Sequence, residues 1–256
     1  MIAEFAAAAA LVVTPQQFVA SHHLPSGAFA ETGGTPDVTL TAWALLGLRA
    51  SGATVDDSYL RAHEDALQTP TAIALGALAE VHASDALLAR VERISGGGAV
   101  NAAAWKLLAL AGARRPLPRT TVRFLLAHQS PGGGWGWAAG VAPDSNDTAA
   151  VVQALRAARV AGLPIRRALV YLRHRQNKDG GFELTAGRGS DAQSSAWAIQ
   201  AFLAAGKRPG SAAYRYLGRL RRADGSYRYS ARYAVTPVWV TSQVLPALAR
   251  RSFPIR

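Results

Sequence analysis

Residues 124–159 read FLLAHQSPGGGWGWAAGVAPDSNDTAAVVQALRAAR. An aromatic residue opens a short helix-forming stretch that closes at Gln129. The run Gly132, Gly133, Gly134 marks a turn, and Trp135 follows at once. A loop of Gly, Ala and Pro leads to Asp144-Ser-Asn-Asp147, and then to an Ala- and Val-rich apolar segment over 148–158. Three other segments, 18–52, 171–206 and 216–250, repeat this order: aromatic start, polar or basic end, Gly turn, aromatic, loop, apolar helix.

Such self-similarity decides the fold class. The turn glycines Gly133, Gly180 and Gly225 are 47 and 45 residues apart, and Gly27 lies 106 before Gly133. Two shorter units, 71–83 and 101–113, fit that gap, so six helix pairs are expected. The second helix of each pair is apolar nearly all round, as in 41–50 and 195–205, and belongs in a buried layer. The first is amphipathic. Arg215, Arg219 and Arg222 share one face, while Tyr216, Leu217 and Leu220 share another. Alternating wet and buried helices predict an all-α, α6/α6 toroid: an outer ring around an inner one, formed by residues 1–256 as one domain. Alanine suits the inner ring because it is small and favours helix. Gly180 and Gly225 suit left-handed turns at helix ends.

Composition removes whole classes of chemistry. The chain has no cysteine, so disulfides, thiolate zinc sites, cysteine nucleophiles and iron–sulfur clusters are excluded. The net charge of +12 is uneven. Residues 1–100 hold 4 basic and 10 acidic groups, and residues 101–256 hold 24 and 6. The arginines fall on the wet outer helices, where a solvated rim is the simplest reading. A membrane surface or an anionic envelope polymer is the expected partner otherwise. Nucleic acid is not expected, because aromatics do not interleave with the basic clusters as a stacking platform requires. The apolar run from Phe5 to Val13 is too short to span a bilayer. It reads as a first helix or as the remnant of a targeting segment, although Glu4 has the wrong sign for the latter. That leaves localisation open, leaning to exported or membrane-peripheral.

Gln129-Ser-Pro-Gly-Gly-Gly-Trp135 has the form Q-x3-G-x-W, and Gln176…Gly180…Phe182 repeats it with Phe for Trp. His23…Gly27…Phe29 and Arg221…Gly225…Tyr227 are degenerate copies. These segments resemble the QW repeat of the squalene-cyclase and prenyltransferase superfamily, whose fold is an α/α toroid. Asp144-Ser-Asn-Asp147-Thr-Ala resembles the D-x-D-D acid motif of class II terpene cyclases. The resemblance implies Asp144, Asn146 and Asp147 as the catalytic positions. The middle acid, which protonates the substrate in the family, is Asn146 here, and an amide is no strong acid. Asp147 is then the surviving donor, with Asp144 in support. The family's zinc-dependent branch is disfavoured by the absence of cysteine, and neither metal nor cofactor is expected. Classical cyclases also have two such domains, which leaves room for a partner domain or subunit.

Aligning the repeats tests these residues. Asp144 matches Asp37 and Asp191, Asn146 matches Thr39 and Gln193, and Asp147 matches Leu40 and Ser194. Recurrence of the first Asp in repeats that need no catalyst argues for helix capping. The small polar set reads as a ring over one mouth of the barrel, a ligand-site pattern. Trp43, Trp105 and Trp197 recur on inner helices, either as packing or as a lumen lining that meets ligand through their faces. Trp137 is one step out of phase with Trp135 and should be more exposed. The candidate ligand set is Asp37, Trp43, Trp105, Trp137, Asp191, Gln193 and Trp197. The six histidines have no metal spacing. Two functions are carried forward. One is a terpene-cyclase-like toroid that binds a polyprenyl or triterpenoid-type apolar ligand and starts cyclisation by protonation. The other is a non-catalytic carrier or interaction module, similar to the cobalamin-carrier toroids. A carbohydrate-active toroid would need paired carboxylates, for which Asp37 and Asp191 are the candidates.

Overall fold

The computed structural model describes residues 12–95 and 97–255. Within them twelve α-helices form two concentric layers. The inner layer is α2 (Val38–Ala50), α4 (Pro70–Ala79), α6 (Val100–Gly112), α8 (Ser145–Ala157), α10 (Ala192–Ala204) and α12 (Pro237–Leu248). Each inner helix packs on the next, and α12 packs on α2, so the ring is closed. The outer layer is α1 (Pro15–Ala20), α3 (Ser58–Ala62), α5 (Asp85–Arg93), α7 (Arg119–Ala127), α9 (Leu163–His174) and α11 (Ser211–Leu220). The expected α6/α6 toroid is the fold. Of the run from Phe5 to Val13, only Val12 and Val13 fall among the described residues, and both are exposed. Among the described residues no helix is long and apolar enough to cross a membrane.

The inner helices pack closely because their contact residues are small. Gly47 of α2 faces α12 so tightly that a Cβ there would lie 2.5 Å from the Ser242 carbonyl oxygen. The outer helices bury one face each. In α11, Tyr216, Leu217 and Leu220 point inward and Arg215 and Arg219 stay in solvent.

One joint is used four times between the two layers. The backbone N–H of the turn aromatic donates to a hydroxyl in the first turn of the following inner helix. The pairs are Phe29 to Thr41, Trp135 to Thr148, Phe182 to Ser195 and Tyr227 to Thr241, each 2.9 Å. The degenerate copies are therefore structural equals of the two good ones. The preceding turn needs glycine. Gly133 has φ +93°, and a Cβ there would sit 2.6 Å from the Arg167 carbonyl oxygen on α9. Gly180 meets Ala212 on α11 in the same way, and Gly225 meets Thr14 beside α1. The contact that joins successive repeats thus also joins the last repeat to the first.

Several outer arginines have structural partners, which corrects the reading of a purely solvated rim. Arg167 donates to the Ser130 and Pro131 carbonyls at 3.1 and 2.7 Å. Arg173 binds the Arg208 and Pro209 carbonyls, Arg219 the Asp179 carbonyl, and Arg221 the Val13 carbonyl. A guanidinium carries enough donors to clamp a neighbouring turn and still face water.

Candidate functional site

The lumen is built in layers, one residue from each inner helix. Trp43, Leu75, Trp105, Ala150, Trp197 and Gln243 line the floor of a pocket of about 300 Å³ at the end where the inner helices begin. Four residues earlier on their helices, Thr39, Thr71, Asn146, Gln193 and Trp239 form its rim. Residues four apart lie on one face of a helix, so the spacing alone aims both layers inward. Asp147 also lines the pocket, on the helix that carries the small Ala150.

The floor is aromatic and closed from below. Trp43, Trp105 and Trp197 meet edge to face, with ring centroids 5.5 to 5.9 Å apart. Beyond α12 the chain folds back, and Phe253 packs on all three at 5.7 to 6.2 Å. Its backbone N–H is taken by Oε1 of the fully buried Gln153 at 2.8 Å. The guanidinium of Arg49 holds the carbonyls of Leu78, Ala79 and Glu80, and that of Ile255. The lumen is thus a shallow mouth above an aromatic plug.

The two carboxyls of the acid-like motif separate here. Asp144 caps α8, its Oδ1 accepting the Asp147 N–H at 2.8 Å. Asp37 and Asp191 do the same for Leu40 and Ser194 at 2.7 Å. Each of the three caps its helix, and none of them lines the mouth pocket. Asp191 opens instead on a separate cleft shared with Asp179, Tyr216 and Tyr229. Asp37 and Asp191 therefore do not form a carboxylate pair across the mouth. Trp137 is displaced too: it is 56% exposed in the loop before α8, because its neighbour Trp135 takes the buried slot and donates its indole N–H to the Leu125 carbonyl.

Asp147 is the carboxyl that faces the pocket. Burial pushes its pKa up, helped by the charge of Asp144 and a hydrogen bond with it, to about 8. The shift favours the neutral form of the side chain, which can donate a hydrogen bond. Asn146, Trp43, Trp105, Trp197 and Gln193 join it around the same cavity. Sequence reading missed Gln243, Trp239, Thr71 and Phe253. Gln243 was findable, since it stands two residues after Thr241, as Trp43 does after Thr41 and Trp197 after Ser195. Phe253 carried no signal because it belongs to no repeat. Among the described residues no lysine, arginine or histidine lines the pocket. Among the described residues no group of three or more histidine or acidic side chains is gathered for a metal.

No family model and no curated relative matches the chain. Solved structures do. A protein from Actinoplanes superposes with a TM-score of 0.61 at 18% identity, over 92% of this chain and 97% of the other. A glycosidase variant in complex with glucose gives 0.62 at 12% identity, over 92% and 94%. The ent-copalyl diphosphate synthase from Streptomyces platensis gives 0.54 at 19% identity, over 85% of this chain and 52% of that one, so this chain spans about half of that synthase. At these identities the likeness is one of fold. The chain shares an α/α-toroid fold with a copalyl diphosphate synthase and with a glycosidase.

Proposed function

We propose that this protein is a small-molecule-binding toroid that holds a compact, mainly apolar ligand in the mouth of its ring. The observation that carries this reading is the plug. Phe253 under three tryptophans leaves about 300 Å³, at the low end for small-molecule sites. A triterpenoid chain would have no lumen to thread. Apolar walls with a few convergent polar groups favour binding over exclusion.

The terpene-cyclase-like reading has one observation in its favour, a protonated Asp147 above an aromatic floor. Its acidity argues the other way. A carboxyl that keeps its proton to about pH 8 is a weaker acid than an ordinary aspartic acid, whereas alkene protonation needs a stronger one. The position that donates in the family is Asn146.

Incubation with squalene and with geranylgeranyl diphosphate, read by mass spectrometry, separates the two. Binding predicts unchanged substrate from the wild type and from Asp147→Ala alike. A cyclised product made by the wild type and lost in Asp147→Ala would establish an acid-initiated cyclase and end the binding reading.

A further inference from the structure

The mouth pocket has one polar side chain in its floor. Gln243 is 1% exposed and lines the cavity. Its Oε1 accepts from the indole Nε1 of Trp197 at 2.9 Å and from Nε2 of Gln193 at 3.0 Å. An indole N–H can only donate. The atom that faces it must be the amide oxygen, so the orientation of Gln243 is determined. Its Nε2 is then left buried without a hydrogen-bond partner. Buried amide donors are paired almost without exception, so this one calls for an acceptor from outside the protein. The corresponding positions on three other inner helices are Trp43, Ala150 and Trp197. An apolar residue would close the floor at this place without an orphaned donor.

The rest of the lining says what kind of acceptor fits. A phosphate or carboxylate would find no basic side chain among the lining residues. A cation would find a single carboxyl, that of Asp147, and would meet a free N–H of the same sign. An uncharged oxygen on a hydrocarbon body meets both demands, since the tryptophans take the body and the amide takes the oxygen.

We propose that Gln243 is the specificity-determining residue of the mouth pocket, where its free amide N–H receives the carbonyl, ether or hydroxyl oxygen of a compact uncharged ligand. This rests on the binding reading above. It is tested with three probes of one skeleton: camphor, its parent hydrocarbon camphane, and bornylammonium. Four tryptophans line the pocket, so their fluorescence reports occupancy. In the wild type camphor should bind about tenfold tighter than camphane, the worth of one neutral hydrogen bond. In Gln243→Met, which keeps length without the amide, the preference for camphor over camphane should vanish. The wild-type comparison stands even if that variant folds poorly. Equal binding of camphor and camphane by the wild type overturns the role of Gln243 and leaves the pocket reading intact. Preference for bornylammonium overturns the uncharged ligand class. No response to any probe overturns both.

Discussion

Asp144 and Asp147 lie three residues apart on the chain and meet opposite fates. Asp144 holds the first turn of α8 through the Asp147 N–H, where the helix N-terminus favours a negative charge. Asp147 turns into the mouth, and loss of water outweighs that dipole. Glu80 is similar: it is 3% exposed, and burial together with Glu64 and Asp57 outweighs the Ser84 backbone N–H and Arg61 and pushes it up to about 8. Between the ordinary carboxylate range and about pH 8, the native state binds these two protons more tightly than the unfolded chain does. Stability therefore falls as pH rises through that window. Denaturant midpoints measured from pH 5 to 8 should drop in the wild type, and drop less in Asp147→Asn and in Glu80→Gln. Parallel curves for all three proteins would mean that neither carboxyl is held neutral in the fold. The acid-like motif was legible in the sequence. The division of roles within it was half legible, because repeat alignment exposed Asp144 as a cap but could not reveal how far the pocket wall takes Asp147 out of water.

Elements are joined by the aromatic turn and its hydroxyl. Thr148 Oγ1 accepts the Trp135 N–H at 2.9 Å and donates to the Asp144 carbonyl at 2.6 Å. Thr148→Val keeps the shape and strands a buried N–H, which should cost about 1–3 kcal/mol. Thr148→Ser keeps the hydroxyl and should cost much less. Thermal or chemical unfolding of the pair checks this, and equal losses would show that the methyl rather than the hydrogen bond matters. The helix pairs themselves were readable because glycine turns and apolar runs are local signals. The arginine clamps from Arg167, Arg173 and Arg221 were not. Their partners are carbonyls in other repeats, and any residue can supply a carbonyl.

At the scale of the whole molecule the ring is closed twice. Around its circumference, α12 packs on α2 and the Gly225 turn packs on Thr14. Along its axis, Phe253 stops the lumen. Phe253→Ala should cost about 3–5 kcal/mol, the usual range for emptying a buried aromatic site. It should also deepen the mouth pocket, so that a longer hydrocarbon perturbs tryptophan fluorescence where the wild type gives no response. Wild-type stability with no added binding would mean that the neighbours collapse into the space and that Phe253 is not what limits the site.

Sequence alone determined the number of helix pairs and the alternation of wet outer with buried inner helices. Those properties depend on periodicity, turn glycines and helix caps, all of which act within a few residues. It also singled out the polar positions that ring the mouth, because the repeats place them in register. Only the tertiary structure decided what the lumen can hold. The floor is made by one side chain from each of six helices, and its depth is set by Phe253, which lies outside every repeat. Close packing across the ring axis brings residues 43, 105, 197 and 253 together, and no local pattern encodes that meeting.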